Sequence, residues 1–94
     1  MRVEWHPLAR ADLAELITYI AKEDPAAAYR IHDDIRNQTA TLAIYPEIGR
    51  AGRVRGTREL VVSGTPYVVA YRFMGDRVTV LRVLHGARLW PRRI

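Results

Sequence analysis

The hydrophobic positions of this chain change period about halfway along it. Arg2-Val3-Glu4-Trp5 alternates polar and apolar and predicts a short strand. His6-Pro7 interrupts it. Proline suits a first helical turn, where its missing N–H would have had no partner, so a helix is expected to open here. Leu13, Leu16, Ile17 and Ile20 then recur at helical spacing, with Arg10, Asp12, Glu15 and Lys22 on the opposite side. Glu23-Asp24-Pro25 closes this helix, and Asp24 is placed to cap a second one starting at Pro25. That helix is expected over about 25–44, with Ala28, Ile31, Ile35 and Leu42 as its buried stripe. So short a link predicts an antiparallel helical hairpin.

Tyr45-Pro46-Glu47-Ile48-Gly49 ends the helical pattern, and Gly52 and Gly56 mark loop or turn. Strand periodicity follows. Arg58 to Val62 is one strand, Ser63-Gly64-Thr65-Pro66 a turn, and Tyr67 to Phe73 a β-branched and aromatic strand. Gly75-Asp76 reads as a two-residue type II′ loop, and Arg77 to Leu84 as the last strand. The tail from His85 to Ile94 carries no clear pattern. The order strand, helix, helix, strand, strand, strand predicts an α+β fold. In this βααβββ arrangement the helical hairpin packs on one face of a small, mainly antiparallel sheet, and residues 1–94 form one domain.

The two-residue loop also sets a register. It places Met74 opposite Arg77, Tyr71 opposite Val80 and Val69 opposite Arg82. One face would carry Tyr67, Val69, Tyr71, Phe73, Val78, Val80, Arg82 and Leu84. The other would carry Val68, Ala70, Arg72, Thr79, Leu81, Val83 and His85, whose small aliphatics suit packing under helices and leave the first face open. Arg82 would then sit diagonally between Tyr67 and Tyr71. There it either stacks on their rings with its donors free for RNA or snorkels to water above a structural core.

Composition narrows the chemistry. The chain has no cysteine, which excludes disulfides, thiol catalysis and cysteine-based metal sites. It shows neither a signal-peptide run nor an apolar stretch of the ~20 residues a membrane helix needs, so a cytoplasmic protein without a membrane partner is expected. The net charge of +5 is unevenly spread. Residues 1–48 hold five basic and eight acidic side chains; residues 49–94 hold ten arginines and two acidic ones. Arginine offers a flat fork of donors that grips phosphates and carboxylates. A basic C-terminal half fits a polyanionic target, an acidic protein partner, or a solvated surface.

Three groups of residues are candidates for a site. Arg53, Arg55 and Arg58 cluster before the second strand, as a positive patch or as charges guarding an edge. Tyr67, Tyr71, Arg72, Arg82 and Trp90 supply aromatic and cationic contacts on or after the strands. His85 and Arg88 follow the last strand. A histidine near an arginine can serve acid–base chemistry on a phosphodiester, and can equally be a hydrogen-bonded residue at a strand end. The three histidines show no metal-ligand spacing, and there is no glycine-rich phosphate loop, so neither metal nor cofactor is expected.

Several segments taken in order resemble the RelE/ParE toxin superfamily across nearly the whole chain. They are Ala11-Asp12-Leu13 with Tyr19-Ile20, Ile44 to Gly49, Thr57-Arg58-Glu59-Leu60, Tyr67 to Arg72, and Val80 to His85. The resemblance implies a growth-arresting toxin of a bacterial type II toxin–antitoxin system. Its acidic antitoxin would lie across it as an extended segment or helix, in a hetero-oligomer. RelE-like members cut mRNA on the ribosome, using basic side chains and a C-terminal Tyr or His–Tyr pair. ParE-like members poison DNA gyrase and have no nuclease site. Here Val61, Val62 and Ser63 stand where many ribonuclease members carry an arginine, and no tyrosine follows Tyr71. The resemblance is therefore closer to ParE-like members. Arg82, His85 and Arg88 are the catalytic candidates if the protein is instead an endoribonuclease. Arg53, Arg55, Arg58, Tyr67, Tyr71, Arg72, Arg82 and Trp90 are the candidates for binding antitoxin or target. A plain nucleic-acid-binding module is a third reading, resting on charge alone.

Overall fold

The computed structural model describes residues 1–92, so Arg93 and Ile94 lie outside the described residues. The elements follow one another as β1 (Arg2–Trp5), α1 (Pro7–Glu23), α2 (Pro25–Ala40), a 3-10 turn (Thr41–Ala43), β2 (Arg50–Ala51), β3 (Arg58–Val61), β4 (Tyr67–Met74) and β5 (Arg77–His85). The strands form one sheet in the order β1-β5-β4-β3-β2. β1 runs parallel to β5, while the other neighbours are antiparallel.

Both helix starts are written locally. His6 caps α1, its Nδ1 accepting the Leu8 N–H at 3.1 Å. Asp24 caps α2, its carboxylate accepting the Ala27 N–H at 3.0 Å, and Pro25 follows it at the first helical position. The second helix stops at Ala40, short of the expected 44, and tightens into the 3-10 turn that buries Leu42. The hairpin lies on the sheet through Ala9, Leu13 and Ile35, which meet Val62, Val69, Val80 and Val83 in one buried cluster. A second, smaller cluster joins Leu42, Tyr71 and Val78.

These clusters correct two expectations. The face turned to the helices carries Val69, Tyr71, Val78 and Val80, so the two faces are reversed. The register also slips. Met74 meets Arg77 and Tyr71 meets Val80 as expected, but Ala70 then pairs with Arg82 and Val69 with Val83. Leu81 is the extra residue of a β-bulge. A bulge puts two residues of one strand against one of its neighbour, which changes the side taken by every residue beyond it. Val83 thereby joins the core under the helices. The opposite face is not left open along its length either, since Val68 and Ala70 are buried and the chain at Gly86 comes back against Val68.

A fifth strand, expected as loop, appears at Arg50–Ala51, where Arg50 pairs with Glu59 and Ala51 with Arg58. At the β4–β5 loop, Gly75 has a φ of 62°, which a glycine reaches without a side-chain clash.

Candidate functional site

The candidate residues fall in two places. The first is the end of β5, where it outruns β1 and its edge faces α1. Asp12 of α1 fills that edge. Its carboxylate accepts Arg82 Nε at 2.7 Å, Arg82 Nη2 at 2.9 Å and the Val83 N–H at 3.0 Å. The Arg82 and Asp12 side chains are only 22% and 13% exposed. The bidentate bond to Asp12 holds the Arg82 guanidinium charged, above the usual arginine range. Arg82 therefore does not stack between Tyr67 and Tyr71. The bulge has moved it opposite Ala70, and Asp12 takes its donors.

Beside this pair, an open cleft of about 380 Å³ is lined by Glu15, Tyr19, Tyr67, His85, Arg88 and Leu89, among others. His85 and Arg88 thus share one concave surface, as acid–base chemistry would need. Within it, however, His85 is occupied on two sides. Its Nδ1 accepts the Ala87 N–H at 3.2 Å, and the Tyr67 ring meets it edge-on with centroids 5.7 Å apart.

The second place is the loop around β2 and the start of β3. Glu59 of β3 lies inside it with its side chain 1% exposed. It is held by Arg50 Nη2 at 3.0 Å, by the Arg53 N–H at 2.7 Å and by Arg53 Nε at 3.5 Å. A buried carboxylate requires such partners, because an unpaired one would be forced to take up a proton. Arg53 reaches further. Its guanidinium lies 3.7 Å from the centroid of the Trp90 ring and donates to Gly86 O at 3.1 Å, while Trp90 Nε1 donates to His85 O at 3.0 Å. The segment after β5 is thus pinned to the loop.

Arg58 turns the other way, donating to the carbonyls of Glu47 and Gly49 at 3.2 and 3.0 Å and lying over Phe73. Fully buried Tyr71 completes that anchor. Its hydroxyl donates to Pro46 O at 2.6 Å and accepts the Gly49 N–H at 2.9 Å. A Cβ at Gly49 would overlap the Tyr71 ring, 2.6 Å from Cε1, which explains the glycine. Burial pushes the Tyr71 hydroxyl pKa above its ordinary value of 10.0, against the lowering effects of the Gly49 bond and the Arg58 charge.

Of the sequence candidates, Arg55, Arg72 and Arg88 stand exposed, and Arg53, Arg58 and Arg82 spend donors on the protein itself. Asp12, Arg50 and Glu59 were not among the candidates. Glu59 carried a faint signal, as one of two acidic residues in the basic half and the one not in the hairpin loop.

This geometry has counterparts. The family model described as the ParE toxin of type II toxin–antitoxin systems, parDE, matches residues 3–90. The chain belongs to the ParE toxin family. It is 42% identical over 90 residues to the Y4kP protein of Sinorhizobium fredii, covering 96% of this chain and 93% of that one. It is 39% identical over 88 residues to toxin RelE2 of Caulobacter vibrioides, covering 94% and 98%. A chain of the chromosomal ParDE system from P. aeruginosa superposes with a TM-score of 0.80 at 27% identity, over 88% of this chain and 92% of that one. The protein is accordingly the toxin of a type II toxin–antitoxin system, with an antitoxin as its partner. The α+β fold is that of a ParDE neighbour. None of the described helices of this ParE-family toxin is long and apolar enough to cross a membrane, and no described cluster of His, Asp and Glu could hold a metal ion.

Proposed function

We propose that this toxin arrests growth by inhibiting DNA gyrase in the cytoplasm, with no bond-breaking chemistry of its own, and that an acidic antitoxin reverses the inhibition. The observation that carries this reading is the commitment of Arg82 to Asp12 at 2.7 and 2.9 Å. A ribonuclease needs a cation free to meet the phosphate charge that builds up in the transition state. Here the strand arginine is neutralised by its own protein. Tyr71, one of the two tyrosines of β4, is equally committed, its hydroxyl bonded to Pro46 and Gly49. The ParE family match leans the same way.

Exposed Arg55 and Arg72, with Trp90 beside Arg53, are the contacts we assign to antitoxin or target. They can meet carboxylates without breaking internal bonds.

Purified toxin should block ATP-dependent supercoiling of relaxed plasmid by gyrase, and added antitoxin should restore it. Full supercoiling at saturating folded toxin sinks the proposal. A second reading, ribosome-dependent mRNA cleavage, has one observation in its favour: His85 and Arg88 line the same cleft. Under that reading, His85→Ala and Arg88→Ala abolish codon-linked mRNA cuts while the protein stays folded. Undiminished cutting by both variants removes those residues from any catalytic role.

A further inference from the structure

Residues 44–49 join the 3-10 turn after α2 to β2, and their backbone is held from several sides. The Ile44 and Tyr45 N–H groups both donate to Thr41 O, at 3.1 and 2.9 Å, and the Ile48 N–H closes a turn on Tyr45 O at 3.3 Å. From the sheet, the Tyr71 hydroxyl engages Pro46 O and the Gly49 N–H, and Arg58 donates to the carbonyls of Glu47 and Gly49. Hydrogen bonds thus reach the backbone of every residue from Ile44 to Gly49. A loop so tied holds its side chains in one arrangement before any partner arrives.

Those side chains are largely apolar and outside the core. Pro46 and Gly49 are buried, while Ile44, Tyr45 and Ile48 stand 73%, 58% and 52% exposed. A turn brings its first and fourth residues within about 7 Å, so Tyr45 and Ile48 project from neighbouring points. The anchoring bonds use backbone groups of the loop, so they give no reason for large hydrophobic side chains here. Single exposed hydrophobic residues are ordinary, whereas several held side by side mark a surface that meets another protein.

Charge selects the partner. Glu47 lies between Tyr45 and Ile48 at the tip, exposed, and its carboxylate makes no ion pair among the described residues. Arg58 bonds its carbonyl instead. An apolar patch around an unpaired carboxylate repels an acidic protein segment and nucleic-acid phosphates alike. It fits a protein surface that offers an apolar pocket beside a basic side chain. Exposed Arg55 and Arg72 suit the acidic antitoxin; this loop does not.

We infer that the 44–48 loop seats this toxin on its target, with Ile44, Tyr45 and Ile48 entering an apolar pocket of gyrase and Glu47 meeting a cation at the rim. The inference rests on the gyrase reading above and names the toxin surface that makes the contact.

The test compares unaltered toxin with a variant carrying Tyr45→Ser and Ile48→Ser, in gyrase supercoiling and in antitoxin titration calorimetry. Both changes fall on exposed side chains and leave the Tyr71 and Arg58 bonds in place, so the fold should persist. The variant should need more than about tenfold higher concentration to halve supercoiling, and should bind antitoxin within about threefold of the original. Glu47→Lys should weaken inhibition about fivefold at low salt and by less at high salt. Undiminished inhibition by the double variant, where unaltered toxin inhibits, overturns the inference and leaves the gyrase reading standing. Full supercoiling in the presence of unaltered toxin removes both. An equal loss of antitoxin affinity assigns the loop to the antitoxin, and self-association of unaltered toxin that the variant lacks assigns it to a second copy; either result overturns the inference. Should the double variant fail to fold, Ile44→Ser and Glu47→Lys, each alone, carry the same comparison.

Discussion

Arg50 and Arg53 around β2 and Arg82 of β5 are all held by carboxylates, but in opposite senses. At Glu59 the carboxylate is the hidden partner, 1% exposed, while Arg50 and Arg53 remain 56% and 39% exposed. At Asp12 the two partners are sunk almost equally, at 22% and 13%. The first pairing is local, six to nine residues apart, and shapes a loop. The second spans 70 residues and ties the helical hairpin to the last strand. An arginine-rich segment is therefore not by itself a nucleic-acid surface. In this toxin several arginines stand in for the core that a short chain cannot build.

The contrast predicts unequal effects. The largest should come from Arg50→Ala with Arg53→Ala, which removes both cations from a buried carboxylate, leaves it only the backbone N–H of residue 53, and should cost about 3 kcal/mol in urea unfolding. A loss below about 1 kcal/mol at neutral pH would mean that Glu59 does not depend on its arginines. Next comes Asp12→Ala, which removes three acceptor contacts but leaves Arg82 able to reach water, at about 2 kcal/mol. If the Glu59 and Asp12 changes prove equal, the distinction between the two regions fails.

Tyr71→Phe should cost about 1–2 kcal/mol through the unpaired Pro46 carbonyl and Gly49 N–H. Because burial raises the Tyr71 pKa in the folded state, the unfolded chain loses this proton first. The stabilisation is complete below the ordinary value of 10.0 and is lost as pH climbs through the raised one. Part of the alkaline destabilisation should therefore vanish in Tyr71→Phe, which unfolding midpoints between neutral and strongly alkaline pH would reveal. The smallest effects belong to exposed Arg55 and Arg72. Alanine there should shift stability by less than about 0.5 kcal/mol, while antitoxin affinity, measured by titration calorimetry, falls and loses salt dependence.

How much of this was legible in the sequence follows from the range of each interaction. The helices announce themselves locally, through the apolar stripes and through Asp24 capping ahead of Pro25. The β4–β5 hairpin is equally local, and Gly75-Asp76 fixed its first pairs correctly. The bulge at Leu81 is different. Nothing in Val80-Leu81-Arg82 marks it; it falls just past Val80, where the pairing with β1 ends. That one residue reversed the side of Arg82 and dissolved its expected place between Tyr67 and Tyr71. Tyr71 reads equally as a surface or a core aromatic until the 46–49 loop folds onto its hydroxyl. β2 is too short to show a period. Arg53, Arg58 and Arg82 were visible as charges, but their acceptors, Glu59, the Glu47 and Gly49 carbonyls, and Asp12, become partners only in three dimensions.

The decisive measurement is gyrase supercoiling run in parallel with unaltered toxin and with the variant carrying both His85→Ala and Arg88→Ala. A structural Arg82 and a non-catalytic cleft require antitoxin-reversible inhibition by both proteins, with the variant within about threefold of the original, a difference of well under 1.4 kcal/mol. Active gyrase in the presence of folded, unaltered toxin, together with mRNA cleavage that the variant has lost, would contradict this and make the β5 cleft a nuclease site.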